Sequence, residues 1–219
     1  MRNCFFIFTL LFVANTSAQV NYAPLRISEA SIQATLAEKE KNSRVNYKTD
    51  LYKTAFYAAL DYYPELKNVK IKVKAKKLNM LMKARPTFLS SWRRPAHRKY
   101  KILVNTSRAL GAPLPGDFTF NAQVGVFGHE MAHLADYLHM RCGKLAQCGR
   151  NYHKPDFKKR MEQKTDKMTL EHGLGWQLYD YSVQWNNLPL ANAAYVETKK
   201  KFYIDPKAML GIMLDMGYQ

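Results

Sequence analysis

Residues 129–133 read His129-Glu130-Met131-Ala132-His133, within a segment that we predict to be helical from about residue 121 to residue 139. Residues four apart lie on one face of a helix, so both imidazoles can reach a single ion. Neutral imidazole is a good ligand for zinc. Glu130 is displaced around the helix and would lie beside the metal, where it can accept a proton from a bound water. The stretch therefore predicts a zinc-binding helix that carries its own base.

A catalytic zinc ion needs a third protein ligand and an open position for water. His139 follows His133 by six residues, a spacing similar to that of the metzincins, but Asp136 stands where that motif has glycine. On an unbroken helix, six residues correspond to about 600° of rotation and ~9 Å of rise, which leaves His139 on another face. Asp breaks a helix less readily than Gly. His139 is therefore the weaker of two candidates.

The second candidate is Glu162, which Asp166 follows four residues later on the next long predicted helix. H-E-x-x-H followed by E-x-x-x-D resembles the gluzincin zinc metallopeptidases, and the resemblance spans residues 129–166. It implies that Glu162 is the third zinc ligand and that Asp166 orients His129 by accepting a hydrogen bond. The gap between the two helices suits a compact, single-domain member of the group better than a large two-domain enzyme. A solvated helix face is the alternative explanation of this pattern.

The same resemblance implies a His or Tyr that stabilises the oxyanion formed during hydrolysis. His172 lies at the end of the predicted second helix, just before Gly173, and is our catalytic candidate for this role. The alternative is a histidine that merely interacts with the negative end of the helix dipole. Tyr179 and Tyr181 are further candidates for the oxyanion. Glu171 is an alternative metal ligand, although no Asp follows it at the required spacing.

The beginning of the chain has the composition of a secretory signal peptide. Arg2 supplies a positive charge, residues 5–13 are apolar, and Thr16-Ser17-Ala18 is a small-residue cleavage site. We expect a signal peptide over residues 1–18 and an exported protein, secreted or periplasmic. A membrane anchor is the alternative, but the apolar run falls short of the ~20 residues that a spanning helix needs. No segment after the signal is expected to span a membrane.

Two cysteines, Cys142 and Cys148, follow the predicted signal peptide. An even pair in an exported chain favours a disulfide, which would close a short polar loop over residues 143–147. Two free thiols are the alternative. A zinc site at this pair is disfavoured, because the spacing is not C-x2-C.

The hydrophobic periodicity changes from helix to strand and back to helix along the chain. Val69, Ile71 and Val73 alternate with lysines, as in a strand with one buried face. The order of elements predicts an α+β fold with a small sheet of about three strands, packed with the H-E-x-x-H helix and a second ligand-bearing helix. We expect one domain over residues 19–219, and the gluzincin resemblance implies that it is zincin-like. The other predicted strands cover residues 78–84 and 100–105, and the other predicted helices cover residues 28–42, 50–63, 155–172, 176–185 and 206–215.

The formal net charge is +17, and the basic residues are spread over most of the chain. Such a charge could favour an anionic envelope surface, an acidic polymer or nucleic acid. Solvation of an exported protein is the simpler explanation. No nucleic-acid-binding motif accompanies the charge, so we expect no specific nucleic-acid partner.

These features predict a secreted zinc metallohydrolase, most simply a peptidase that acts on a peptide or protein substrate. His129, His133 and Glu162 would hold one Zn²⁺ ion, and Glu130 would act as general base toward a water on that ion. One alternative is a non-catalytic, zinc-containing binding protein of the cell envelope, although a structural site has no use for Glu130. Another is a basic protein that binds an anionic polymer or membrane.

Overall fold

The computed structural model describes residues 22–189 and 192–219. The predicted signal peptide over residues 1–18 lies outside the described residues. In chain order, the strands and α-helices are α1 (Glu29–Lys41), β1 (Val45–Tyr47), α2 (Lys53–Leu60), β2 (Lys70–Lys76), β3 (Met82–Pro86), β4 (Lys99–Asn105), α3 (Phe120–Leu138), α4 (Cys142–Asn151), α5 (Pro155–Glu171), α6 (Gly175–Asn186), α7 (Ala193–Phe202) and α8 (Pro206–Asp215). Within this part of the chain, no helix has the length and apolar character needed to cross a membrane.

The strands form one mixed sheet in the order β1–β2–β4–β3. β1 and β4 both run parallel to β2, whereas β3 runs antiparallel to β4. Apolar side chains such as Ile71 and Ile102 are buried on one face of the sheet, and the lysines of β2 lie on the wetter face. The predicted α+β class is confirmed. The sheet includes β1, which was not predicted because three residues are too short to show a period.

β3 lies at the edge of this sheet. The sequence predicts a strand over residues 78–84 that stops before Pro86, whereas β3 spans Met82–Pro86. An edge strand tolerates proline, because one row of its backbone groups has no ladder partner to lose. In the described part of the chain, β4 is the strand partner of β3, and the other edge of β3 is unpaired.

Helix α3 is the central helix of the fold. It runs over Phe120–Leu138, close to the predicted range, and packs against α2, α5, α6 and β3. Thr119 caps its N-terminus by accepting a hydrogen bond from the amide of Ala122 at 3.3 Å. All residues from Val124 to Tyr137 are buried. The two histidines of α3 therefore lie inside the protein and not on a solvated face.

The cysteine-bearing segment is helix α4 and not the expected loop. Six residues on a helix correspond to about 600° of rotation and ~9 Å of rise, so the two thiols point to different sides. Both are free: Cys142 Sγ lies 3.3 Å from the carbonyl oxygen of Trp92, and Cys148 Sγ lies 3.2 Å from Met161 Sδ. The predicted Cys142–Cys148 disulfide is therefore corrected to two separate thiols.

Helix α7 is a second departure from the sequence prediction. Its segment, Ala193–Phe202, includes three consecutive lysines, and only Tyr195, Val196 and Lys199 are buried. So short a buried face gives little helical periodicity to detect. The helix packs against α5, and Lys199 is buried whereas Lys200 and Lys201 are exposed.

We expect Gly125→Ala to destabilise the fold by blocking the contact between α3 and α6. A Cβ atom at Gly125 would lie 2.2 Å from the carbonyl oxygen of Gln177, which is backbone and cannot rotate away. The free energy of unfolding should fall by about 2 kcal/mol or more, as measured by urea denaturation. Gly149→Ala in α4 is the matched control, since a Cβ there meets nothing within 4 Å. Equal stability of the two variants would contradict the close approach.

Candidate metal centre

Three predicted ligands, His129, His133 and Glu162, meet between α3 and α5. One ligand atom from each lies within 4.8 Å of the others. The three residues are only 4%, 6% and 1% exposed. Helix α3 supplies both histidines from one face, and α5 supplies the carboxylate from the facing side. The group could hold a metal ion, as the sequence predicts.

The Nε2 atoms of both histidines face the same carboxylate oxygen. His129 Nε2 lies 3.1 Å from Glu162 Oε2, and His133 Nε2 lies 3.5 Å from that oxygen. The two imidazole rings are nearly perpendicular, with centroids 4.8 Å apart. The two nitrogens therefore approach Glu162 Oε2 from different directions, as the ligands of one ion do.

The other nitrogen of each histidine is held by a residue of α5. His129 Nδ1 donates to Asp166 Oδ1 at 2.8 Å, and Asp166 Oδ2 accepts the backbone amide of Ile204 at 3.0 Å. Thr165 Oγ1 donates to a backbone carbonyl of its own helix and lies 3.1 Å from His133 Nδ1, from which it accepts. Such hydrogen bonds fix the tautomer and orientation of metal-binding histidines. The predicted contact between Asp166 and His129 is present.

Glu162 is itself oriented by Tyr152, the residue that follows helix α4. The Tyr152 hydroxyl donates to Glu162 Oε1, which leaves Oε2 directed at the histidines. Burial of the phenol, together with the nearby Glu162 charge, raises the pKa of Tyr152, so it remains a donor. Each of the three ligands therefore directs one polar atom at the other two, while a hydrogen bond fixes its second polar atom.

This donor set fits a cation. With Nδ1 protonated on both rings, the two Nε2 lone pairs and Glu162 Oε2 are three acceptors that face one another. Burial lowers the pKa of His129, but hydrogen bonds to Asp166 and Glu162 outweigh it and raise that pKa to about 9. Burial likewise opposes ionisation of Glu162, yet hydrogen bonds from both histidines hold its pKa well below the ordinary value. The cluster thus attracts positive charge, whether a proton or a metal.

Glu130 lies beside the cluster and is not one of its three members. The residue is 7% exposed, and its Oε2 atom has no hydrogen-bond partner among the described residues. Leaving a buried carboxylate oxygen unpaired is unfavourable unless it faces a ligand or water. Glu130 also lines a cleft that is open to solvent, so a ligand or water can reach its free oxygen.

The cleft has a volume of about 880 Å³ and reaches His133, Glu130 and Glu162. Edge strand β3 and the loop before it line the cleft, as do residues of α4, α5 and α7. Its lining is rich in aromatic side chains, among them Tyr137, Tyr152, Tyr181, Tyr195 and Tyr203. The candidate metal cluster is therefore accessible from a space large enough for a short peptide.

Other predicted residues lie elsewhere. His139 is exposed at the end of α3, and Glu171 is exposed at the end of α5; neither belongs to the cluster. His172 Nε2 lies 2.8 Å from Glu65 Oε1, its Nδ1 donates to the carbonyl of Met168, and its ring stacks on Tyr63. The structure therefore does not bring His172 into the cleft, since both of its nitrogens have partners elsewhere.

Several residues of the site were missed by the sequence analysis. Thr165 could have been found, because it lies on the same helix face as Glu162 and directly precedes Asp166. No motif or spacing in the sequence points to Tyr152 or Lys199, because each reaches the site from an element outside the motif.

No protein-family model, curated protein or solved structure matches this chain. Function is therefore inferred from the geometry of the cluster, its hydrogen-bonded supports and the cleft beside it.

Glu162→Ala should abolish stoichiometric metal binding, whereas His139→Ala should leave it unchanged. The first change removes one of three converging ligand atoms, and the second removes an exposed side chain. Metal content of the purified proteins can be measured by inductively coupled plasma mass spectrometry, with circular dichroism to verify folding. Loss of metal in His139→Ala but not in Glu162→Ala would contradict the assignment.

Asp166→Asn should weaken metal binding without removing a ligand. The amide keeps the size of the side chain but loses the negative charge that faces His129 Nδ1 at 2.8 Å. We expect a 10- to 100-fold lower metal affinity, measured by titration against a competing chelator. Glu171→Gln is the control, because it removes an exposed carboxylate from the same helix. A similar loss in both variants would indicate a general charge effect.

Proposed function

We propose that the protein is a zinc-dependent hydrolase of the gluzincin type that cleaves peptide bonds. The observation that carries this proposal is the position of Glu130, a buried carboxylate with an unpartnered oxygen, beside three converging ligands and inside a cleft. Two imidazoles and one carboxylate are the ligand set of several catalytic zinc sites, which keep a further position open for water. A zincin-like fold and export through the predicted signal peptide belong to the same proposal.

His129, His133 and Glu162 would hold a zinc ion, which would supply Lewis acidity toward a water near neutral pH. Glu130 then accepts a proton from the attacking water through its free oxygen and returns that proton to the leaving amine. Asp166 and Thr165 keep both histidines in the tautomer that presents Nε2. Tyr152 keeps Glu162 in one orientation.

A peptide is favoured as substrate because of the edge strand. β3 lines the cleft and has one unpaired edge in the described part of the chain. An extended peptide can add to such an edge through backbone hydrogen bonds, which require no particular side chains. Both β3 and Glu130 line this cleft, so an extended peptide bound along β3 would share the space that holds the base.

Glu130→Gln should retain the metal but lose hydrolysis by a factor of about 10² to 10⁴. The amide cannot accept the proton, while the three ligands remain intact. Activity can be followed by mass spectrometry of a digested peptide mixture, with metal content measured on the same samples.

His172→Gln is the matched control for this experiment, because His172 is bonded to Glu65 and Met168 and does not line the cleft. It should keep activity within a few-fold of the parent. Undiminished cleavage by Glu130→Gln would sink the assignment of the base. A parent protein that binds zinc but cleaves no peptide would favour a non-catalytic zinc protein instead.

A further inference from the structure

Lys199 is a buried cation in the wall of the cleft. It lies in α7 and is 7% exposed. Its Nζ atom lies 3.5 Å from the ring centroid of Tyr203, 5.1 Å from that of Tyr181 and 5.6 Å from that of Tyr195. Contacts of this kind between an ammonium group and aromatic faces stabilise the charge and limit where it can move. The three rings therefore hold the ammonium group in one place.

The ammonium group of Lys199 has no anionic partner of its own in residues 22–189 and 192–219. It makes no hydrogen bond or ion pair there, whereas Lys39, Lys53 and Lys164 each pair with a carboxylate. Burial lowers the pKa of Lys199 to about 8, although the charges of buried acids nearby oppose this effect. The residue therefore stays largely protonated at neutral pH. The side chain is largely buried and has no acceptor among the described residues, so an anion that enters from the cleft would stabilise its charge.

Apart from Glu130 and Glu162, the charged side chains that line the cleft are lysines and an arginine. The acids in the lining are Glu130 and Glu162, both assigned to the site above. Four further bases share the lining with Lys199, and none of them forms an ion pair with a described residue: they are Lys83, Arg85, Lys101 and Lys158. Burial lowers the pKa of Lys101, and the positive charge of Arg85 lowers it further. An electropositive cleft attracts acidic ligands and disfavours basic ones.

We propose that Lys199 is a carboxylate-binding residue of the cleft and that the preferred substrates are acidic peptides. The carboxylate would come from a Glu or Asp side chain near the scissile bond or from the free C-terminus of the peptide. The ammonium group, held by three tyrosine rings, forms the charged hydrogen bond, and the basic side chains around the cleft attract the rest of an acidic segment. This inference rests on the proposed peptidase function and specifies its substrate class.

The test uses short labelled peptides that carry one Glu, or one Gln, moved along an otherwise neutral sequence. Each peptide is made with a free C-terminal carboxylate and as the C-terminal amide, so the two sources of a carboxylate are separated. The zinc-loaded parent should show a kcat/KM about tenfold higher for the favoured carboxylate peptide than for its neutral match. Lys199→Met should erase that preference, and Lys199→Arg should restore part of it.

Lys201→Met is the matched control. Lys201 is an exposed lysine of the same helix that also lies over an aromatic ring, Phe202 at 5.4 Å, but it does not line the cleft. Its removal lowers the net charge equally and should leave the preference intact. If Lys199→Met slows all peptides to the same extent, the residue only balances the buried carboxylates or supports the wall, and the proposal fails.

Binding supplies a readout that does not depend on cleavage. Fluorescence anisotropy with the zinc-loaded Glu130→Gln protein should show tighter binding of the same carboxylate peptides, and Lys199→Met in that background should remove the difference. Selective binding without cleavage by the parent would overturn the proposed function and leave the carboxylate site standing. Cleavage without any selectivity in rate or binding would overturn the carboxylate site alone.

Discussion

Two imidazole nitrogens and one carboxylate oxygen converge between helices α3 and α5, and they repel one another unless positive charge lies among them. Such an arrangement is unfavourable by itself and persists only when the surroundings hold it. Asp166 fixes His129, Thr165 fixes His133, and Tyr152 fixes Glu162. The residues behind the ligands therefore matter as much as the ligands, because they prevent the acceptors from rotating apart.

The fold provides this rigidity through close packing around one buried helix. Gly125 lets the backbone of α6 touch α3, and Tyr63 donates a hydrogen bond at 2.7 Å to the carbonyl of Gly128, one residue before the first ligand. Asp166 also accepts the amide of Ile204, so the chain before α8 is tied to the support of His129. Elements far apart in sequence thus position a single imidazole ring.

The cleft combines a buried acidic centre with basic walls. Negative charge is concentrated at Glu130 and Glu162, where a metal would offset it, whereas lysines and an arginine line the surrounding space. Lys199 lies on the rings of Tyr181 and Tyr203, and the Tyr203 ring lies 5.4 Å from that of His129. The aromatic wall therefore links the metal cluster to the cation that would recognise a carboxylate.

The sequence by itself determined the helix with His129, Glu130 and His133, the later helix with Glu162 and Asp166, and the α+β class, because each depends on local periodicity or fixed spacing. The tertiary structure decided the rest. It excluded His139, since α3 ends with that side chain in solvent, and it engaged His172 with Glu65. It also replaced the expected disulfide by helix α4 and brought Tyr152 and Lys199 to the site. Contacts between distant elements leave no periodic trace in one sequence, so only the packed fold could show them.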